Sequence, residues 1–339
     1  MEKYSFKNDY SEGCHENILK TMMTSNLEQH EGYGHDYYSE KAREFIRKKI
    51  GNKNSDVYFV SGGTQANLIS ISAVLKHHEA IIAVKTSHIS LREAGAIEAT
   101  GHMIINKQDD NGKLTVAKIQ EALDIITMPD HMVRPKLVFI SNSTEIGSIY
   151  KKKELEEISF FCKKNNLYLY LDGARLGSAL TAPENDMTLE DLSNLVDMFY
   201  IGGTKNGALL GEAIVINNNK MKEDFRFHLK QKGALLAKGR LLGIQFYELF
   251  RENLFFELAL HINDMAIKLA NGIKEKGYEF MLKPESNQIF PILPNELIKK
   301  LEKHFNFYVW EKREGSSVVR LVTSWATRED MVDKFLSEI

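Results

Sequence analysis

The sequence predicts an α/β protein, with a large domain built on a mostly parallel central sheet and a small α+β domain at the C-terminal side. Two observations carry this. From Val57 to Ile216, short β-branched and apolar runs alternate with helical stretches, as in a sheet whose strands are joined by crossover helices. After about Asn217 the pattern changes to long helical segments, then short strands and a closing helix. The chain has 339 residues, 43% of them hydrophobic, so it can bury a sizeable core as two domains or as one α/β unit with an appendage.

Residues 1 to about 50 read as polar and helical, interrupted by the Gly/His/Tyr-rich stretch from His30 to Tyr38. Val57-Tyr58-Phe59-Val60 reads as a buried strand, and Gly62-Gly63-Thr64 opens a helix running through Leu75. Further strands are expected at Ala80–Val84, Leu137–Ser141, Leu167–Leu171, Val196–Ile201 and Ala213–Ile216, with an amphipathic helix from Lys153 to Lys164. Met221 to Glu257 reads as one long helical stretch. Short strands are expected near Phe290–Leu293 and Val318–Val322.

A formal charge of -2 gives no electrostatic footprint for nucleic acid or an anionic membrane. The two cysteines, Cys14 and Cys162, stand outside any metal-ligand spacing and suit a reduced compartment. The N-terminus has early charge and no apolar core of a signal peptide, and no apolar run approaches a membrane span. A cytoplasmic protein with no metal site is the expectation.

Five places carry candidate chemistry. Gly62-Gly63-Thr64-Gln65-Ala66-Asn67 follows a strand and opens a helix, where backbone N–H groups and the helix dipole suit an anion. The alternative is an ordinary turn with Thr64 as the cap. Asp172 ends an apolar strand, where ligands of open α/β sheets bind, with Arg175 three residues on; the alternative is a local Asp172–Arg175 salt bridge. Lys205 sits in Gly202-Gly203-Thr204-Lys205-Asn206-Gly207, directly after another apolar run, where partial burial would depress its pKa. The alternative is a solvated loop lysine. An amine and a carboxylate at two strand ends suit a pyridoxal 5′-phosphate enzyme, the amine forming a Schiff base and the carboxylate holding the pyridine nitrogen protonated. His88, after the second strand, can stack on an aromatic ring or move a proton, or be merely structural. Arg320 is a charge inside an apolar strand and must meet a carboxylate of the protein or of a ligand.

Phosphate turn, His, Asp-Gly-Ala-Arg, Thr-Lys and a late Arg occur in the order found in fold-type I pyridoxal-phosphate enzymes, the aspartate aminotransferase-like fold. More narrowly the chain resembles the threonine aldolase/β-eliminating lyase family over nearly its whole length. Asp172-Gly173-Ala174-Arg175-Leu176 and Ser87-His88-Ile89 with Glu93-Ala94-Gly95-Ala96 carry that resemblance, supported by the Gly62 turn and Arg320-Leu321-Val322-Thr323.

The resemblance implies that Lys205 forms the Schiff base beside Thr204, and that Gly62, Gly63 and Thr64 hold the phosphate. It further implies that His88 stacks on the pyridine face near the substrate hydroxyl and that Asp172 pairs with the pyridine nitrogen. Arg175 and Arg320 would grip the substrate carboxylate, with Asn8 where the family usually has a serine. It implies a homodimer or homotetramer with shared active sites, to which Tyr33, Lys238 and Arg240 are the candidate contributors. The chain departs from the family where Ser141-Asn142-Ser143-Thr144-Glu145 replaces an Asn-Thr-His stretch; Glu145 then contacts the β-hydroxyl, or the proton moves through water. Ala234-Leu235-Leu236-Ala237-Lys238-Gly239-Arg240 replaces a glycine triplet and arginine, leaving the phosphate's cation open between Lys238 and Arg240. The expected division is an N-terminal segment 1–10 joining the small domain, a cofactor domain 11–248 and a small domain 249–339. The expected reaction is retro-aldol cleavage of threonine or allo-threonine to glycine and acetaldehyde, with His88 and Glu145 as base candidates. The rivals are a β-eliminating lyase or dehydratase using the same cofactor, and a non-catalytic α/β protein binding a phosphorylated metabolite.

Overall fold

The computed structural model describes residues 3–128 and 130–339. Of the expected N-terminal segment, Met1 and Glu2 lie outside the described residues. In chain order, β1 (Tyr4–Ser5), α1 (Glu16–Thr24) and α2 (Tyr37–Lys49) precede β2 (Asp56–Val60) and α3 (Gly63–Val74). There follow β3 (Glu79–Val84), α4 (His88–Leu91), β4 (Ile104–Lys107), α5 (Val116–Asp124), β5 (Arg134–Ser141), α6 (Lys152–Lys164) and β6 (Tyr168–Asp172). Next come α7 (Leu176–Thr181), α8 (Leu189–Leu195), β7 (Met198–Gly202), β8 (Glu212–Ile216), α9 (Phe225–Gln231), α10 (Arg240–Arg251) and α11 (Leu254–Glu275). The chain closes with β9 (Gln288–Ile289), β10 (Ile292–Pro294), α12 (Asn295–Leu301), β11 (Phe305–Asn306), β12 (Tyr308–Lys312), β13 (Ser316–Val322) and α13 (Glu329–Glu338).

The large sheet has seven strands in the order β2-β8-β7-β6-β5-β3-β4. Only β8 runs against its neighbours, pairing antiparallel with both β2 and β7. Both faces are covered, so successive residues of one strand enter opposite cores. Ile82, Val138, Leu171, Phe199 and Val215 pack on one side, and Ile81, Phe139, Tyr170, Met198 and Ile214 on the other. This two-sided burial is why these strands read as continuous apolar runs. α6 shows the helical counterpart: Leu155, Ile158 and Cys162 are buried at three- and four-residue spacing while Glu156 and Lys163 face water.

The small domain packs a separate core of Leu269, Ile289, Leu293, Val319, Leu321 and Phe335. The N-terminal segment belongs to that core, because β1 pairs in parallel with β11 and Phe6 is fully buried against Phe305 and Phe335. Burying one such ring contributes roughly 2–3 kcal/mol, which holds the following residues, Asn8 to Tyr10, near the end of the large sheet.

Three of the differences from the sequence expectation have a clear physical reason. The stretch from Met221 to Glu257 is not one helix: α9, α10 and the start of α11 are separated by residues 232–239 and by Asn253, whose φ of 65° breaks the helical path. The edge strand β4 was not anticipated, since Ile104-Ile105-Asn106-Lys107 is half polar, as an edge with a wet side allows. The amphipathic β12, which pairs with β13, carries too many charges to register as an apolar run.

Candidate active site

The candidate residues gather at the carboxyl ends of the parallel strands, where connecting loops leave room for a ligand. Register brings Ser141 of β5 beside Asp172 of β6, and Gly202 of β7 beside Glu212 of β8. Gly173 is required there, since a Cβ would stand 1.9 Å from the Tyr200 carbonyl oxygen.

Asp172 is buried, and its carboxylate is held from three directions. Tyr200 Oη donates at 2.5 Å, Asn67 Nδ2 at 3.1 Å and the Ala174 amide at 3.0 Å. Arg175 does not pair with Asp172 as a local salt bridge would. It donates Nε and Nη2 to Asp9 at 2.7 and 2.9 Å, a bidentate pair inside the protein that joins the small-domain side of the chain to the sheet. Burial would raise the Asp9 carboxyl, but Arg175 and then Lys205 outweigh it and hold it below the usual carboxylate range. The guanidinium expected to grip a ligand's carboxylate therefore already holds one.

Lys205 lies in the turn between β7 and β8, half-buried, with Nζ 5.9 Å from the centre of the Tyr10 ring. Burial, reinforced by the Arg175 charge, lowers its pKa, against the opposing pull of Asp9, Asp172 and Glu212. Glu212 is buried beside the same turn and accepts the Gly203 amide at 2.9 Å. Burial pushes its carboxyl up to about 8. Thr204 stitches the turn shut, its hydroxyl accepting the Gly211 amide at 2.9 Å.

The first turn of α3 is open. Its N-cap is Gly62 with no side-chain cap, so Thr64 does not fill the role that the ordinary-turn alternative gave it. A Cβ at Gly62 would meet nothing within 4 Å, whereas one at Gly63 would stand 2.9 Å from Tyr200 Oη. The amides at this helix start thus remain available to an anion.

His88 lies on α4 with Nδ1 2.8 Å from Glu93 Oε1. Its backbone N–H donates to Glu145 Oε1 at 2.7 Å, and Ser141 Oγ donates to the same oxygen at 2.9 Å. Burial and then the nearby Asp172 charge raise the Glu145 carboxyl. Arg320, on β13, donates Nη2 to Gln288 Oε1 at 2.6 Å, while its Nε is buried without a partner. No carboxylate pairs with it among the described residues, and burial and then Arg175 disfavour its charged form. Of the two guanidiniums only Arg175 is paired with a protein carboxylate, and Arg320 keeps donors for a ligand's carboxylate.

Four candidates lie elsewhere or turn away. Asn8 accepts from the Tyr10 amide and the Ser11 hydroxyl of its own loop. Tyr33 is exposed under Lys230 Nζ, 4.9 Å from its ring centre, and bonds backbone groups of Ala237 and Arg226's side chain. Lys238 is exposed, and Arg240 donates to the carbonyls of Glu28 and Asn26 at 2.8 and 3.2 Å. The partners of Tyr33 and Arg240 lie outside the Lys205 cluster, whereas Asn8 is bonded to Tyr10, whose ring lies near Lys205 Nζ. Sequence reasoning missed Asp9, Tyr200, Glu212 and Gln288; Asn67 and Glu93 stood in quoted motifs without a role. Only Glu93 had a local signal, five residues beyond His88.

An amine of lowered pKa, a thrice-bonded carboxylate, an uncapped helix start and an underpaired guanidinium fit a cofactor with phosphate and pyridine groups and an amino-acid carboxylate. The sequence model of the family described as Beta-eliminating lyase matches residues 8–295. A low specificity L-threonine aldolase of Pseudomonas sp. (strain NCIMB 10558) is 30% identical over 345 residues, covering 100% of this chain and 97% of that relative. A solved structure of Leishmania major threonine aldolase superposes with a TM-score of 0.97 at 50% identity, over 98% of each chain. A Thermus thermophilus aspartate aminotransferase shares the fold at a TM-score of 0.72 and 14% identity, over 99% of this chain and 91% of that one.

Proposed function

The chain belongs to the β-eliminating lyase family, and from that premise we propose that it cleaves L-threonine or L-allo-threonine to glycine and acetaldehyde with bound pyridoxal 5′-phosphate. The observation that carries the reading is the full-length likeness to a threonine aldolase at 50% identity, with an amine and a carboxylate side by side at the sheet's end. When bound, the cofactor supplies an electron sink for the pair released at Cα.

The protein's own groups do the rest. Lys205, its pKa lowered by burial, presents its amine as nucleophile and afterwards as proton carrier. The Gly62, Gly63 and Thr64 amides would hold the cofactor's phosphate, and Asp172 would keep its pyridine nitrogen protonated. Arg320 takes the substrate carboxylate and so fixes which Cα bond is aligned for cleavage. Arg175 supports this from behind its pair with Asp9. His88 accepts the β-hydroxyl proton at Nε2 as the Cα–Cβ bond opens, and the aldehyde C=O forms. Glu145, anchored to the His88 backbone, completes that wall. A proton then returns to Cα to give glycine.

The finer assignments belong to the same proposal. Two or four copies share their sites, with Tyr33 of one copy contributing to the substrate side of the next and Lys238 or Arg240 to its cofactor phosphate, in the cytoplasm. The test is spectral and chemical. An absorbance band at about 410–430 nm from the lysine–cofactor imine is expected in the wild type and absent in Lys205→Ala. Glycine with acetaldehyde supports cleavage; ammonia with an oxoacid refutes it in favour of β-elimination, and a protein that gains no band refutes cofactor chemistry.

A further inference from the structure

The helix that opens at the glycine turn carries a residue still without a task. Asn67 is fully buried and bonded on both sides of its amide. Nδ2 donates to Glu93 Oε1 at 2.7 Å and to Asp172 Oδ2 at 3.1 Å, and Oδ1 accepts from Tyr170 Oη at 3.0 Å. The reverse orientation would set the amide oxygen against two carboxylates, so the network fixes which way Asn67 faces.

Glu93 receives this amide on the same oxygen that lies 2.8 Å from His88 Nδ1. An ionised carboxylate only accepts, so Nδ1 carries the hydrogen and Nε2 keeps its lone pair. The second oxygen of Glu93 is buried without a partner among the described residues, and the side chain is 0% exposed. Such burial is costly for a residue that merely fills space, and a glutamine or leucine would fill it more cheaply.

We propose that Glu93 and Asn67 are positioning residues that bridge the His88 ring to the Asp172 carboxylate and hold His88 as its Nδ1–H tautomer. The bridge continues to Tyr200, whose hydroxyl binds the other oxygen of Asp172. The His88 ring and the Asp172 carboxylate are thereby set by a single hydrogen-bonded chain. Only the catalytic consequence rests on the aldolase reading; the tautomer is a property of the protein without cofactor.

The experiment is nitrogen NMR of the histidine rings in cofactor-stripped, full-length protein above the imidazole titration, with His88 identified by its loss in His88→Asn. The wild type is expected to show Nδ1 protonated and Nε2 bare; an Nε2–H wild type overturns the proposal without any variant. Glu93→Leu, which has no acceptor, is expected to lose that preference, and Glu93→Gln, whose Oε1 can still accept from Asn67 and from Nδ1, to keep it, while an unchanged tautomer in Glu93→Leu is a second refuting outcome. In holoenzyme, Glu93→Leu should lower kcat about 10²-fold with KM little changed, the scale of a general base lost from its working form. A wild-type kcat in Glu93→Leu refutes the positioning role. If the wild type cleaves no β-hydroxy amino acid, the aldolase reading fails while the ring spectra still decide the bridge.

Discussion

Asp9→Asn is the most direct probe of how the N-terminal segment is tied to the site. The substitution keeps the shape and one acceptor but removes the charge that faces Arg175 and Lys205. Asp9 is 1% exposed and the Arg175 side chain 12%, so water cannot replace the lost partner. Leaving one charge of a buried pair uncompensated costs about 3–5 kcal/mol, and the retained amide oxygen puts the variant at the lower end. Unfolding entropy of about 2.1 cal/mol/K per residue makes about 3 kcal/mol a fall in Tm of roughly 4 °C for a chain of this length. The sign with pH follows from the lowered Asp9 carboxyl: its contribution is complete above the unfolded value of 3.8 and is lost as pH falls through the folded one. The gap between wild type and variant should therefore be flat from neutral pH down to about 5 and close below about 4. Differential scanning calorimetry at several pH values measures it. An unchanged Tm at neutral pH, or a gap that widens in acid, refutes the buried-pair argument. The double variant Asp9→Leu with Arg175→Leu should recover most of the loss, because both charges leave together.

Gly63→Ala, whose Cβ meets Tyr200 Oη at 2.9 Å, should lose about 1–3 kcal/mol of stability and weaken cofactor binding, whereas Gly62→Ala, with open space, should keep its stability. Denaturant melts and cofactor titrations by absorbance separate the two. Arg320→Gln should weaken glycine binding about 10²-fold through the lost charge-assisted bonds, read as the glycine-dependent spectral change. Glu212→Gln tests the raised carboxyl. Stability from a raised acid is complete below its unfolded value of 4.5 and lost as pH rises towards about 8, so the wild type should lose its advantage over Glu212→Gln across that interval. Urea midpoints from pH 5 to 9, about the range between and beyond the two values, check the slope.

The α/β order was legible because the strands of the large sheet between its edges β2 and β4 are largely buried on both faces, and two-sided burial demands unbroken apolar runs such as Leu169–Leu171 and Phe199–Ile201. The ends of those runs marked Asp172 and Lys205 by the same logic, since a charge that follows a buried strand stands where the sheet opens. The long helix expected from Met221 failed for the converse reason. Leu, Lys and Ala suit a helix locally, and the breaks at residues 232–239 and Asn253 are set by what the segment must reach.

By itself the sequence determined the alternation of strand and helix and the chemical identity of an amine and a carboxylate at two strand ends. Tertiary structure alone decided their partners. Asp9 meets Arg175 across 166 positions and Asn67 meets Asp172 across 105, separations at which no periodicity carries information. The physical reason is that hydrogen bonds and ion pairs between buried groups are settled by which side chains the packed cores bring within 3 Å of one another. That pairing turned Arg175 from a free carboxylate receptor into half of a buried ion pair, and made Asn67 the link between His88's partner and Asp172.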